Sequence, residues 1–489
     1  MFEWADTQPE ISEEAYRSAV DKLRMELLDA QYDLLENKKF PVILVIGGVD
    51  GAGKGETVNL LNEWMDPRHI HTHAFGPPND VESELPYMYR FWQALPPKGS
   101  VGMLFGSWYS TPIIDRVYRR IKNPKFDQYL DEIIAFEQML VRDSALILKL
   151  WFHLNKKDQK ERLQSLEKNP LTRWRVRDTD WERFKLYDRF RKHAEHALSR
   201  TSSAEAPWHV INGKFARNRS LAVGNLLLQA MRTRLDNPAP VFQVPTYLKL
   251  TGAPNPLEKL QYDHDMSKAD FKTALERWQG RLNLLSRSSS FQKKGAAVVF
   301  EGTDAAGKGS AIRRITRALD ARQYQIIPIA APTPDEKAQP YLWRFWRKLP
   351  QRGRFSIFDR SWYGRVLVER VEGFCSESDW LRAYSEINDF EAQLQESGII
   401  VIKCYLAITK EEQLKRFNER KTIGFKRFKI TDEDWRNREK WDQYEAAVND
   451  MLARTGTLDA PWQVIPANNK YHARIQVLKT ICNRLEEVL

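Results

Sequence analysis

AAVVFEGTDAAGKGSAIRRIT, residues 296–316, reads as a strand, a glycine-rich turn and the start of a helix. The apolar run from Ala296 to Phe300 has the composition of a buried strand, and the residues after Lys308 have helical spacing. Between them Gly302 to Lys308 fits G-x-x-x-x-G-K, in the strand–loop–helix context where that motif cradles phosphate. Gly302, Gly307 and Gly309 let the backbone wrap an anion with its amides pointing inward, and the positive end of the helix stands behind them. Lys308 adds a point charge for a phosphoryl group in transit. Two residues depart from the usual loop. Gly309 stands where Ser or Thr normally holds magnesium, and Asp304 puts a carboxylate inside a loop made for anions. That charge is costly without a cation beside it. Either Asp304 carries Mg²⁺ in place of the missing hydroxyl, or it caps the turn through its own backbone. The metal reading is preferred, because loop geometry alone would accept Asn.

A second stretch, VILVIGGVDGAGKGETVNLLN at residues 42–62, repeats the pattern. Lys54 and Lys308 lie 254 residues apart, and the same offset pairs Arg90-Phe91-Trp92 with Arg344-Phe345-Trp346. It also pairs Ser107-Trp108-Tyr109 with Ser361-Trp362-Tyr363, Phe136-Glu137 with Phe390-Glu391, and Pro207-Trp208 with Pro461-Trp462. A gapless register held from the glycine loop to the last strand means two homologous domains in tandem, not a short-period solenoid. The expected organisation is a first domain over 1–235, a proline-bearing join over 236–258 and a second domain over 259–489. Each half opens with an amphipathic helical region (Ile11 to Lys38, Lys268 to Lys293) and then alternates short apolar strands with helices. That alternation predicts α/β: two three-layer α/β/α P-loop domains, each with a parallel sheet.

The chain has 489 residues, 42% of them hydrophobic and 29% charged, which suits two or three soluble domains. No run approaches the ~18 apolar residues of a membrane helix, and the acidic start MFEWADTQPEISEEAY is unlike a secretory signal. Cys375, Cys404 and Cys482 are far apart without metal-ligand spacing, so a reducing cytoplasm is expected. A net charge of +11 implies an anionic partner, whether nucleic acid, an acidic membrane or a polyanionic small molecule.

In the second half the offset lands on SIFDRSWYGR, residues 356–365. The strand ends in Asp359 and Arg360, where P-loop enzymes hold the metal that bridges phosphates. Arg360 and Arg365 present donor forks suited to phosphate oxygens. In the first half the counterparts of Asp359, Arg360 and Arg365 are Phe105, Gly106 and Thr111. Asp50 and Lys54 remain, so the first domain is expected to bind phosphate weakly at best and not to catalyse. Beyond the strand at Ile399 a segment dense in cations and aromatics (Lys421, Lys426, Arg427, Lys429, with Phe425, Phe428 and Trp435) reads as a basic lid or as a solvated helix face. Its first-half counterparts include Glu167 for Lys421 and Thr172 for Lys426.

GTDAAGKG, YLWRFWRKLP, FDRSWYGR and FKRFK, in that order, resemble the family-2 polyphosphate kinases over nearly the whole chain, twice. The fused two-domain arrangement resembles those members that use inorganic polyphosphate to turn AMP into ADP. The resemblance implies a thymidylate-kinase-like fold with a helical lid, a requirement for Mg²⁺, and phosphoryl transfer in the second half. The family's loop Asp, loop Lys, strand-end Asp and flanking Arg residues carry over to Asp304, Lys308, Asp359, Arg360 and Arg365. Asp304 and Asp359 are then the metal ligands. Arg344, Lys421, Lys426, Arg427 and Lys429 carry over as phosphate contacts, and Glu391 belongs to a recurrent Phe-Glu pair. The implied partners are inorganic polyphosphate and AMP or ADP, with neither membrane nor nucleic acid. A homo-oligomer is expected, a dimer forming a pseudo-tetramer of domains. Transfer to ADP or GDP and an ATP-dependent nucleotide kinase are the alternative activities. A nucleic-acid-binding ATPase is disfavoured, since neither an RNA-binding aromatic motif nor zinc ligands occur.

Overall fold

The computed structural model describes residue 2 and residues 9–237, 255–422 and 432–489. Two compact units divide the chain. The first comprises Met1–Pro78, Arg90–Phe242 and Thr333–Pro340, and the second Asn79–Tyr89, Gln243–Pro332 and Tyr341–Leu489.

The first unit is built on strands β1 (Val42–Gly48), β2 (Ile70–Ala74), β3 (Val101–Phe105), β4 (Leu146–His153) and β5 (Trp208–Asn212). They form one all-parallel sheet in the order β2-β3-β1-β4-β5. The second unit repeats this with β6 (Gly295–Gly302), β7 (Tyr324–Pro328), β8 (Phe355–Asp359), β9 (Ile399–Ala407) and β10 (Trp462–Pro466), ordered β10-β9-β6-β8-β7. Central strands covered on both faces read as continuous apolar runs: β9 is buried at every position. The edge strand β2 is buried only at Ile70. Registers match across the copies, with Ile46 opposite Phe105 and Phe300 opposite Asp359. The order reverses at β1 and β6, which sets the loop after each beside the end of β3 or β8. That crevice is where open parallel sheets take ligands.

Helices cover the sheets. In the second unit the opening helix runs Lys268–Ser286, shorter than the sequence suggests. Serines end it: the Ser288 hydroxyl donates to the Leu285 carbonyl at 2.8 Å and accepts the Phe291 amide at 3.2 Å, so local side-chain bonds replace helical ones.

Each unit also buries an ion pair in its core. Lys149 in β4 donates to Glu137 Oε2 and to the Thr201 carbonyl, both at 2.7 Å. Glu137 Oε1 accepts from Trp108 Nε1 at 2.9 Å and from the Tyr109 hydroxyl at 2.7 Å. The second unit repeats the arrangement with Lys403, Glu391, Thr455, Trp362 and Tyr363, at 2.6–3.0 Å. Both lysines are fully buried, and burial pushes their ammonium groups down against the neighbouring carboxylate. The Phe-Glu pair is therefore the acidic half of a core ion pair.

Candidate active site

The phosphate loop of the second unit is shaped by backbone constraint. Gly302 has φ +146°, and a Cβ there would stand 2.3 Å from the Leu406 carbonyl oxygen, so only glycine fits. Gly307, φ +111°, is the N-cap of the helix Lys308–Thr316 and offers no side chain to its first-turn amides. Those amides stay available to an anion. Ala305 (φ +65°) and Arg360 (φ +64°) hold left-handed backbone that costs a side-chain-bearing residue about 1–2 kcal/mol. At the matching positions the first unit has Gly51 (φ +81°) and Gly106 (φ +71°), which carry no such penalty.

Around this loop the polar groups converge. Lys308 Nζ donates to the Gly302 carbonyl at 2.5 Å. Asp304 accepts from Asn437 Nδ2 at 2.9 Å and from Arg360 Nη2 at 3.4 Å, so its carboxylate serves helix Asp432–Glu439 and the β8 end, not the turn's own amides. The Tyr444 hydroxyl donates to Asn437 Oδ1 at 3.1 Å and fixes that amide. Gln413 Nε2 reaches the Asp304 carbonyl at 3.3 Å. Arg416, buried, donates to the carbonyls of Ala305, Ala306, Ala467 and Asn468 at 2.7–3.1 Å and ties the loop to the end of β10. Glu301, also buried, accepts from Ser361 Oγ at 2.8 Å. Burial raises its carboxyl pKa, and the Lys308 ammonium opposes that shift.

Asp359 closes β8. A Cβ added at Gly309 would lie 3.9 Å from its Oδ2, so the place of the usual loop hydroxyl is open beside the carboxylate. No hydrogen bond or ion pair engages that carboxylate among the described residues. Asp304 and Asp359 are thus the groups that could hold a divalent cation. No cluster of three or more His, Cys, Asp or Glu side chains suited to a metal occurs among the described residues, so such an ion would take most of its ligands from phosphate and water.

A cavity of about 410 Å³ opens here, lined by Glu301, Gly302, Asp304, Lys308, Arg360 and Asn437 among others. Arg365 and Arg344 are not in its lining. Arg365 stacks over Tyr341 at 4.4 Å with Nε 2.8 Å from Glu369, and Arg344 donates to the Ala330 carbonyl at 3.0 Å. Lys421 sits over the Trp435 ring at 4.4 Å. Lys426, Arg427 and Lys429 lie outside the described residues. Sequence reasoning did not select Glu301, Gln413, Arg416 or Asn437. The signal for two of them was present: at the constant offset Glu301 becomes Gly47 and Asn437 becomes Arg183.

In the first unit Lys54 donates to the carbonyls of Gly48 and Val49 at 2.6 and 2.9 Å, and its pKa is lowered mainly by burial. Asp50 lies 3.6 Å from Lys54 and 3.4 Å from Arg183. Phe105 and Gly106 stand at the strand end, lining a cavity with Asp50 and Lys54.

A central parallel strand running into a glycine-rich loop and an uncapped helix, with Asp and Arg at the neighbouring strand end, is the arrangement that P-loop phosphotransferases use. Similarity to known proteins agrees. The polyphosphate kinase 2 (PPK2) family matches residues 10–238 and again 265–488. The chain is 51% identical over 489 residues to the polyphosphate:AMP phosphotransferase of Pseudomonas aeruginosa, covering 99% of each. It is 39% identical over 474 residues to that of Acinetobacter johnsonii, covering 95% of this chain and 96% of the relative. A crystal structure of a polyphosphate kinase 2 from Pseudomonas aeruginosa superposes with a TM-score of 0.90 at 50% identity, over 100% of this chain and 99% of that one. The chain belongs to the polyphosphate kinase 2 family, and it is an enzyme that transfers phosphoryl groups. No helix among the described residues is long and apolar enough to cross a membrane.

Proposed function

We propose that the chain moves the terminal phosphoryl group of inorganic polyphosphate onto AMP, giving ADP, and that the second unit performs the transfer. The observation that carries this is the convergence of Asp304, Lys308 and Arg360 on one loop, with Asp359 beside it, against Phe105 and Gly106 at the same place in the first unit. Relatives aligned over the full length are named for that reaction.

The acceptor is a phosphate oxygen of AMP, ionised at neutral pH, so no general base is required. That oxygen forms a bond to the terminal phosphorus, the bridging P–O bond breaks, and its electron pair leaves on the shortened polyphosphate. Loop amides and Lys308 hold the transferring group, and Arg360 meets the charge that builds on its oxygens. Arg365, Arg344 and the lid cations Lys421, Lys426, Arg427 and Lys429 are assigned to the more distant phosphates. Asp304 and Asp359 would hold Mg²⁺, which would neutralise adjacent phosphate oxygens. The first unit, with its join to the second over 236–258, is a non-catalytic partner domain. The chain is expected to be a homodimer, a point that sedimentation decides.

The test is ADP formation from AMP with polyphosphate or ATP as donor, using Lys54→Ala and Lys308→Ala, with ADP and GDP as alternative acceptors. Loss of turnover in Lys54→Ala with retention in Lys308→Ala would place the chemistry in the other unit. A faster reaction from ATP would replace the donor.

A further inference from the structure

Glu372 ends the helix Val368–Glu372, whose first residue lines the cavity of the second unit. Its side chain is 4% exposed, and a carboxylate so buried persists only beside cations. Two come from one stretch of chain: Lys440 Nζ lies 2.9 Å and Arg436 Nε 3.3 Å from Glu372 Oε2. The Tyr444 hydroxyl, which donates to Asn437 Oδ1, lies 3.4 Å from Glu372 Oε1. Residues 436, 440 and 444 are spaced four apart where helix Asp432–Glu439 meets helix Trp441–Thr455, so one carboxylate gathers one face of both. The same stretch carries Asn437, whose amide donates to Asp304 at 2.9 Å.

The first unit supplies the control. At the constant offset Glu372, Arg436, Lys440 and Tyr444 become Tyr118, Glu182, Leu186 and Phe190, a set with no ion pair in it. The corresponding helix Asp178–Lys185 forms all the same, so the clasp is not a condition for folding that helix. If it served stability alone, a leucine and a phenylalanine would do as well, as positions 186 and 190 show. Asn437 becomes Arg183, which reaches Asp50 directly at 3.4 Å. The unit with Asp359 and Arg360 has the clasp, and the unit with Phe105 and Gly106 has lost it.

We propose that Glu372 is a positioning residue for phosphoryl transfer: it anchors the helix Asp432–Glu439 so that the Asn437 amide meets the Asp304 carboxylate of the phosphate loop. This role rests on the second unit being the site of transfer. Glu372 itself does not line the cavity. It holds the tyrosine that fixes the Asn437 amide and the two cations that flank Asn437 along the chain. Asp304 is thereby kept between Asn437 and Arg360, the latter at a loose 3.4 Å. Without the amide the carboxylate closes on Arg360 and neutralises the guanidinium that should meet the transferring group.

The test combines steady-state ADP formation from AMP and polyphosphate with amide hydrogen exchange of the peptide covering 432–440, both in the full chain. Glu372→Gln keeps the volume and leaves Lys440 and Arg436, 34% and 49% exposed, able to turn to water. It is expected to speed exchange in that peptide about fivefold, to lower kcat about tenfold and to leave KM for polyphosphate within about twofold. In an Asn437→Ala background it is expected to lower kcat less than about twofold further, because both substitutions act through one contact. Tyr444→Phe installs the residue that the first unit folds with at position 190, so it decides the matter should Glu372→Gln not fold. It is expected to lower kcat about threefold and to add as little in the Asn437→Ala background. Unchanged exchange and kcat overturn the proposal, as do losses that multiply in the double variants. A lower KM for polyphosphate at full kcat in Glu372→Gln overturns it too, since Arg436 and Lys440 would then be phosphate contacts that the carboxylate restrained. Exchange reads the clasp without turnover, whereas a wrong choice of catalytic unit shows in Lys308→Ala, so the two fail separately.

Discussion

Ser107-Trp108-Tyr109 and Ser361-Trp362-Tyr363 clasp the same kind of buried Lys–Glu pair, but the strands before them end in Phe105-Gly106 and Asp359-Arg360. The two copies separate roles that a single domain would leave entangled. The Trp and Tyr of the turn supply donors to a carboxylate in the core, and that service is needed in both units. The charged strand end serves the loop, and only one unit retains it.

Four experiments would break or sharpen this contrast. The largest expected effect is on turnover: Lys308→Ala lowers kcat for polyphosphate-dependent ADP formation roughly a hundredfold to a thousandfold, and Lys54→Ala changes it less than about twofold, both by steady-state assay. Next comes stability. Lys149→Met, which strands the buried Glu137, costs about 3–5 kcal/mol in urea unfolding, and adding Glu137→Leu recovers most of the loss. Lys403→Met with and without Glu391→Leu behaves alike, because this clasp is common to both units. Smaller and opposite in sign are the backbone effects. Arg360→Gly relieves a left-handed residue and raises stability by about 0.5–1 kcal/mol while lowering activity, and Gly106→Arg costs a similar amount, both read by thermal unfolding. The smallest change is expected from restoring Phe105→Asp with Gly106→Arg in a Lys308→Ala background. ADP formation stays at the background level, since Gly47 still replaces Glu301 and Arg183 remains paired with Asp50.

Much of this was legible in the sequence. Strand, loop and helix around Lys308 follow from hydrophobic pattern and glycine placement, and the constant offset transfers them to the first half, down to matching strand registers. The strand-end contrast between Asp359 and Phe105 also needs only the offset. What the sequence hides is partnership across distance. Lys149 and Lys403 sit inside apolar strand runs, and nothing local says that a glutamate twelve residues earlier neutralises each of them. Asn437 looks like one polar residue on a charged helix until the fold brings its amide to Asp304. The helix end at Ser286 turned on serine hydroxyls competing for backbone groups, a contest that apolar spacing does not register.

The left-handed backbone shared by positions 106 and 360 gives duplicate genes of this kind a direction of drift. Exchanging arginine for glycine there is downhill for folding, so a copy relieved of selection for activity loses its phosphate contact with no structural resistance. The return step is uphill and brings no benefit until the missing carboxylate returns as well. The core clasp behaves in the opposite way, since losing either member alone strands a charge, so both persist together. A worn copy of this domain therefore keeps the residues by which it is recognised as kin and sheds first those by which it would be judged active.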